Sequence, residues 1–339
     1  MSGDKMKQII APAAGLMLSA CASFTGGASD ARFEFVREVP LSVCEQERCR
    51  STALALTDDG DHLVVAGTEG MVIIDTMAGD PEPVDPHTDR LKAIDVIEVL
   101  SNDRVIAHDD NYRKLSVVRL NERDIEAHWA DEAAIAFDAS SDGEAILMLH
   151  FGGIIQQDMS SFVETRLFDI DTAEDDVAEI VDNAEEIIVL PGDEHALLRD
   201  YSGLALVALD PFEIVWFKPP DDMPGTMSGF GETDVSANGQ QIFTTDYDDV
   251  HVLDAMSGAY VTGFSLSEYD IKGVHPVPGT DEVLIETSWQ VHVWDSSTEQ
   301  ELQVLSGSAK TIEHVTVSAD GNTIAFMDFS QSVRIYRRN

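Results

Sequence analysis

Seven short turns rich in Gly, Asp, Asn and Pro recur along the chain, and an apolar strand follows each of them. Glycine suits such tight turns because it tolerates positive φ. One residue of each turn marks the repeat, at positions 60, 102, 143, 192, 239, 279 and 321. The intervals are 42, 41, 49, 47, 40 and 42 residues. A repeat of this length limits the chain to architectures in which similar units pack side by side.

The last repeat, Thr311–Tyr336, shows what one unit contains. Val315 and Val317 alternate with polar residues in a first strand, and a turn centred on Gly321 leads to an apolar second strand. Val333–Tyr336 alternates again as a third strand. The apolar second strands indicate burial on both faces, between neighbouring units. In chain order they are 62–65, 105–107, 145–148, 196–198, 241–243, 283–285 and 324–326.

The third strand of several repeats ends in an acidic residue, with Asp at positions 75, 169, 210, 254 and 295. Val291–Asp295 resembles the strand that ends in Trp-Asp in WD-repeat propellers, and Ser318–Gly321 resembles their first hairpin turn. The likeness extends over residues 50–339 as a pattern, although the Gly-His dipeptide is missing and only one repeat keeps Trp-Asp. The resemblance implies a β-propeller with four strands in each blade.

The last repeat lacks a fourth strand, and an unassigned alternating strand, Arg32–Val39, lies near the other end of the chain. In a closed ring this strand would complete the last blade and remove the open sheet edges. The sequence therefore predicts an all-β, seven-bladed β-propeller over residues 32–339, closed by its N-terminal strand. The seven turns disfavour an eight-bladed, quinoprotein-like ring. Residues 151–162 are predicted to form an insertion between strands of the third blade, either folded on the body or protruding towards a partner.

Residues 1–20 have the pattern of an export signal, because Lys5 and Lys7 precede an apolar run that is too short to span a bilayer. The run ends in Leu18–Cys21, which resembles the lipobox of bacterial lipoproteins. That resemblance implies a lipid on Cys21, a polar tether over 21–31 and a membrane anchor without a spanning helix. By the same resemblance, Ala22 favours the outer membrane of the bacterial envelope. The alternative is an ordinary secretory signal.

Export would place Cys44 and Cys49 in an oxidising compartment, so a short-loop disulfide is predicted between them. A zinc site is disfavoured because the residues between and beside them include no further His or Cys.

The composition is strongly acidic, with a formal net charge of −42 at pH 7. Nucleic acid is excluded as a partner because phosphate binding requires clustered Lys and Arg. The acidic residues are spread along the chain, which favours a solvated surface. Binding of cations or of basic partners is the alternative.

The sequence predicts no catalytic residue, metal or cofactor. Its ten histidines show no short metal-ligand spacing, and it has no nucleophile elbow, phosphate-binding loop or dinucleotide fingerprint. A catalytic pair among the many carboxylates is neither located nor excluded.

An aromatic residue recurs just after the second strand, where each repeat turns towards its third strand. Such turns lie on one face of a propeller, so an exposed collar that anchors a peptide or hydrophobic segment is the functional interpretation. The alternative is that each ring wedges between blades as core. Three of the residues follow an Asp, which would favour a basic ligand. The series is Tyr112, Phe151, Tyr201, Tyr247, Trp289 and Phe329.

These features together predict a lipid-anchored, monomeric propeller that acts as a non-catalytic platform for another envelope protein or peptide. An accessory of outer-membrane protein assembly is one such role. An envelope enzyme, either a hydrolase or a quinone-cofactor oxidoreductase with its site at the channel mouth, is the alternative.

Overall fold

The predicted ring of blades is confirmed by a computed structural model, in which seven four-stranded antiparallel sheets form a β-propeller. The structure describes residues 32–41, 51–68, 70–84, 91, 94–109, 114–130, 134–172, 174–225, 227–266, 271–306 and 311–339. Residues from Arg32 to Asn339 belong to one compact unit. The predicted signal peptide and tether lie outside the described residues, as do Cys21, Cys44, Cys49 and Tyr112.

The strands run up and down within each blade, in sequence order from the innermost strand outwards. First strands of neighbouring blades contact one another, so they surround the central channel. Blades 1 to 6 are β2–β5, β6–β9, β10–β13, β14–β17, β18–β21 and β22–β25, and blade 7 is β26–β28 completed by β1. The strands are β1 (Phe33–Pro40), β2 (Ser51–Leu56), β3 (His62–Gly67), β4 (Gly70–Asp75), β5 (Glu82–Pro83), β6 (Ile94–Ser101), β7 (Arg104–Asp109), β8 (Lys114–Arg119), β9 (Asp124–Ala130), β10 (Ala134–Ala139), β11 (Ala145–His150), β12 (Gly153–Asp158), β13 (Glu164–Asp169), β14 (Glu186–Val189), β15 (His195–Asp200), β16 (Gly203–Leu209), β17 (Phe212–Lys218), β18 (Thr233–Val235), β19 (Gln241–Asp246), β20 (Asp249–Asp254), β21 (Tyr260–Ser265), β22 (Ile271–Pro276), β23 (Glu282–Thr287), β24 (Gln290–Asp295), β25 (Gln300–Ser306), β26 (Ile312–Val317), β27 (Thr323–Asp328) and β28 (Ser332–Arg338).

Blade 3 corrects one sequence prediction. Residues 151–162 are not an insertion, because Gly153–Asp158 is the third strand and the turn to the fourth strand follows it. The segment ending at Asp169, predicted as a third strand, is therefore the fourth. The longer interval after Gly143 comes from the connection to blade 4, which contains a short 3-10 helix and helix α1 (Asp175–Asn183).

A shared set of side-chain hydrogen bonds closes the first turn of four blades. In blade 3 the Ser140 hydroxyl accepts the N–H of Ala145 at 2.9 Å and donates to an Asp142 carboxylate oxygen at 2.8 Å. Gly143 follows with a φ of +67°, which favours glycine. The polar residues of these turns therefore stabilise them by side-chain hydrogen bonds, in addition to the glycine that permits positive φ. The equivalent pairs are Thr57 with Asp59, Ser236 with Asn238, and Ser318 with Asp320.

The acidic residue at the end of several third strands caps the next turn. Asp295 of the Trp-Asp pair accepts the N–H groups of Ser297 and Thr298, each at 2.9 Å. At Asp158, hydrogen bonds from the Ser160 hydroxyl and from Ser161 lower the carboxyl pKa to about 2. A carboxylate that accepts several donors is stabilised in its charged form, which explains the recurrence of Asp here.

Seven clusters of buried apolar residues fill the seven interfaces between neighbouring blades. Alternate residues of one second strand point into different clusters. In β3, Leu63 and Val65 pack towards blade 7, whereas Val64 and Ala66 pack towards blade 2. Each blade therefore depends on both of its neighbours.

Strand β1 closes the ring by pairing antiparallel with β28, from Phe33 opposite Arg338 to Pro40 opposite Ser332. The Phe33 side chain is 1% exposed and lies in the interface between blades 6 and 7, while Val39 lies in the interface with blade 1. The side-chain amide of Gln303 in blade 6 accepts from the Phe33 N–H at 2.9 Å and donates to its carbonyl at 2.8 Å. One strand thus joins three blades.

The up-and-down order gives the ring two distinct faces. The first turns, such as that at Gly321, share one face with Phe33 and with Asn339, whose N–H donates to the Arg32 carbonyl at 3.1 Å. We call this the proximal face, because the chain enters the propeller there. The turns between second and third strands and the connections between blades lie on the other face, which we call the distal face.

Replacement of Phe33 by Ala is expected to lower the free energy of unfolding by about 3–5 kcal/mol, since a fully buried ring is removed from an interblade interface. Phe35 on the same strand is the matched control. It is 53% exposed and makes only an edge-on contact with Tyr336, so Phe35→Ala should cost about 1 kcal/mol. Urea unfolding followed by circular dichroism measures both. Equal losses would contradict the proposed role of β1 in closure.

Candidate functional site: the distal face and the central channel

Five members of the aromatic series are described, and all of them project from the distal face. Each sits in the turn between the second and third strands of blades 3 to 7. Their side chains are exposed to solvent, so they do not pack as interblade core. The exposed fractions are 64% for Phe151, 59% for Tyr201, 67% for Tyr247, 53% for Trp289 and 55% for Phe329.

Backbone hydrogen bonds to residues at the start of a blade hold three of these turns in place, with the next blade as partner for Tyr201 and Tyr247 and the same blade for Phe329. The Tyr247 carbonyl accepts the N–H of Ile271 at 2.9 Å, and the Tyr201 carbonyl accepts that of Phe230 at 3.2 Å. The Phe329 N–H donates to the Thr311 carbonyl at 2.8 Å. The rings are therefore exposed while their backbone is fixed, which lowers the entropic cost of binding.

The acidic residues that precede three of the aromatics have a structural role. Asp328 is 1% exposed, and its carboxylate accepts the N–H groups of Ser330 at 2.9 Å and Ser332 at 3.2 Å. Asp246 accepts the Ser228 hydroxyl at 2.9 Å. The carboxylates that were predicted to favour a basic ligand are therefore partly engaged in hydrogen bonds within the turns.

Both faces of the ring carry charged side chains. Six arginines lie at the proximal ends of strands or in proximal turns, and each forms an ion pair with an acidic side chain. On the distal face, Glu179, Asp182, Glu185 and Asp248 are exposed. The distal face is thus acidic around its aromatic residues. The six proximal arginines are Arg32, Arg104, Arg119, Arg123, Arg337 and Arg338.

The central channel contains a cavity of about 530 Å³ lined by the first strands of blades 2 to 6. Six carboxylates lie in its wall, among them Glu98, Asp138 and Asp234, together with Arg199 and His275. Asp138 accepts the N–H of Val189 in blade 4 at 2.5 Å, so its carboxylate also links two blades. The channel is therefore a narrow polar site with an excess of acid.

Burial and mutual repulsion favour the neutral form of these acids. Burial raises the pKa of Asp138 to about 7, with a further contribution from Asp234, although two backbone N–H groups oppose the shift. Burial also raises the pKa of Asp234 to about 6 and that of Glu98 well above its usual range. For His275, burial lowers the pKa, but Glu286 at 3.6 Å together with Asp234 and Glu232 more than offsets this, and the net shift is upward. The channel can therefore hold protons near neutral pH.

Among the residues that the structure describes, no group of three or more His, Cys, Asp or Glu side chains could hold a metal ion. Within the same part of the chain, no helix is long and apolar enough to cross a membrane.

Sequence reasoning found the aromatic residues but missed the channel acids. Asp138 and Asp234 each occur two residues before the serine that opens the first turn, at Ser140 and Ser236. Aligning the repeats on that serine would have placed both carboxylates at one level of the channel.

Comparison of the chain with protein-family models and with curated proteins finds no match.

Because the pKa of Asp138 is raised in the folded protein, we expect the free energy of unfolding to fall as the pH rises from about 4 to 7. Asp138 titrates near 4 when unfolded and at about 7 when folded, so the stabilisation is complete below pH 4 and is lost as the pH rises through 7. The Asp138→Asn variant can still accept the Val189 N–H and should lose this pH dependence. The expected difference, on the order of 2 kcal/mol between pH 5 and pH 8, can be measured by chemical unfolding at both values. An unchanged slope in the variant would contradict the assignment.

Proposed function

We propose that the protein is a lipid-anchored interaction platform of the bacterial envelope and that its distal face binds a peptide or protein partner. One observation carries the proposal, namely that five large aromatic side chains are exposed on a single face of a rigid ring. Clustered aromatics on a fixed backbone are typical of binding surfaces, because they supply large contact area at low entropic cost. The acidic surroundings favour a basic partner.

Phe33 lies at the proximal end of β1, so the N-terminus of the propeller is on the face opposite the exposed aromatics. A lipid on Cys21 would hold the protein at a membrane without a spanning helix. The proposal includes two resemblances seen in the sequence. Leu18–Cys21 resembles the lipobox of bacterial lipoproteins, and the first turns resemble those of WD-repeat propellers.

The competing function is a hydrolase with its site in the channel. It is favoured by Asp138, because a carboxyl group with a pKa near 7 in a cavity suits general acid–base chemistry. The Asp138→Asn variant distinguishes the two functions, since a platform would keep its partner whereas the enzyme would lose turnover.

A photo-crosslinking residue at position 247 should capture the partner in intact envelopes, whereas one at Tyr260 should not. Tyr260 is also an exposed aromatic of blade 5, but it lies at the proximal end of β21. Adding Trp289→Ala should weaken capture from position 247 by roughly tenfold, without an equal loss of thermal stability. Equal capture from both positions would contradict a distal binding face.

The Cys21→Ser variant should move from the membrane fraction to the soluble fraction after cell lysis, because a protein without acyl chains has no anchor. Fractionation with and without detergent measures this. A wild-type protein already recovered as soluble would identify an ordinary secretory signal and would contradict the lipid anchor.

A further inference from the structure

A pocket of about 560 Å³ opens on the distal face between helix α1 and blade 4. Its floor is formed by the buried side chains of Leu198 and Ala205, and its walls by Ile180 of α1 with Ile214 and Phe217 of the outer strand. The volume lies within the range of about 300–1,000 Å³ that is usual for ligand pockets. The pocket thus has room for a large apolar side chain.

A β-bulge in β17 creates one wall. Trp216 pairs with Leu206 while Ile214 pairs with Val207, so Val215 is an extra residue in the outer strand. The extra residue shifts the alternation of side chains and places Ile214 and Phe217 on the same side. Trp216 turns the other way and donates its indole N–H to the Ala255 carbonyl at 3.0 Å.

A glycine allows the Phe217 ring to lie over the distal end of β16. A Cβ added to Gly203 would come within 2.4 Å of that ring, so a larger residue would displace it. The Phe217 side chain is 45% exposed, which is unusual for an aromatic wall and leaves its face available for contact.

Helix α1 supplies the opposite wall because it is amphipathic. Val181 is fully buried in the cluster between blades 3 and 4, which fixes the helix on the propeller. Ile180 is half-buried at the pocket, and Glu179 is exposed at its rim.

The rim of the pocket is negatively charged. Glu179 and Asp200 line it, and the exposed Asp182 precedes the lining residue Asn183. Arg199 is the one cation among the described lining residues, and it forms an ion pair with Glu186 at 2.5 Å. An occupant with a positive charge beside its apolar group is therefore electrostatically complementary.

We propose that this pocket binds a large apolar side chain of a partner peptide in which lysine or arginine is the neighbouring residue. The inference rests on the proposed function, and it names the chemistry of the partner. The pocket is continuous with the aromatic series, since Asp200 and Ser202 at its rim flank Tyr201 in one turn. The apolar side chain serves as the anchor, and the acidic rim selects the flanking charge.

Two labelled probe peptides test the proposal against the full-length chain, acetyl-Gly-Lys-Trp-Lys-Gly-amide and its counterpart with Glu in place of both Lys residues. The basic peptide should bind at least about tenfold more tightly by fluorescence polarisation. Phe217→Ala should weaken its binding by roughly fivefold or more, because an aromatic wall is lost. Phe35→Ala is the matched control, since this ring is 53% exposed and does not line the pocket.

The rim is tested separately by Glu179→Lys, which should reduce the preference for the basic peptide. Glu213→Lys, exposed on the same blade away from the pocket, is its control. Equal binding of the basic peptide to the Phe217→Ala and Phe35→Ala variants would overturn the proposal and indicate general attraction to an acidic protein. Thermal melting of each variant shows that its fold is intact.

The outcome is separable from that of the proposed function. Capture of a partner from position 247, together with peptide binding that does not depend on Phe217, would leave the platform standing and refute the pocket. Peptide binding that depends on Phe217, without capture from position 247, would support the pocket and refute the aromatic platform.

Discussion

Burial of both faces of every blade is the constraint on which the rest of the structure depends. A strand such as β3, buried on both sides, has no face that can be left in water, so each blade requires two neighbours. A linear row of seven blades would leave two bare faces, and only a closed ring removes them. Closure in turn depends on β1, which places Phe33 in one interface and Val39 in the next. Closure of the ring therefore depends on a strand that is distant in sequence from the strand it pairs with.

Much of this architecture could be predicted from local patterns. The turns near Gly143 and Gly321 need positive φ and a hydrogen-bonding Ser-x-Asp sequence, and both requirements are visible in a single repeat. The third strand of blade 3 has the composition of a loop, because it contains the polar residues Gln156 and Gln157 and begins at the second of two consecutive glycines. Pairing with the apolar strand β11 gives this segment its strand conformation, which is a tertiary effect.

The functional candidates were predictable to different degrees. The aromatic residues recur at one position of the repeat, and turn positions of a propeller are solvent-facing on geometric grounds. The channel acids required the register of several first strands, which local sequence does not determine. The pocket of blade 4 was harder still to predict, because it depends on helix α1 and on the packing of Phe217 over Gly203. The bulge in β17 does not distinguish this blade, since blades 2, 3, 5 and 6 have a bulge at the same place between their third and fourth strands.

The pairing of β1 with β28 has a mechanical consequence. A partner that pulls on the distal face while the N-terminal segment is held would load β1 along its own axis. The two strands are antiparallel and in register over most of their length, so the hydrogen bonds of the ladder would resist this load together, in shear. Peeling the strand sideways would instead break them one after another. The ring is thus joined at the position where tension would arrive, and in the direction in which a β-ladder is strongest.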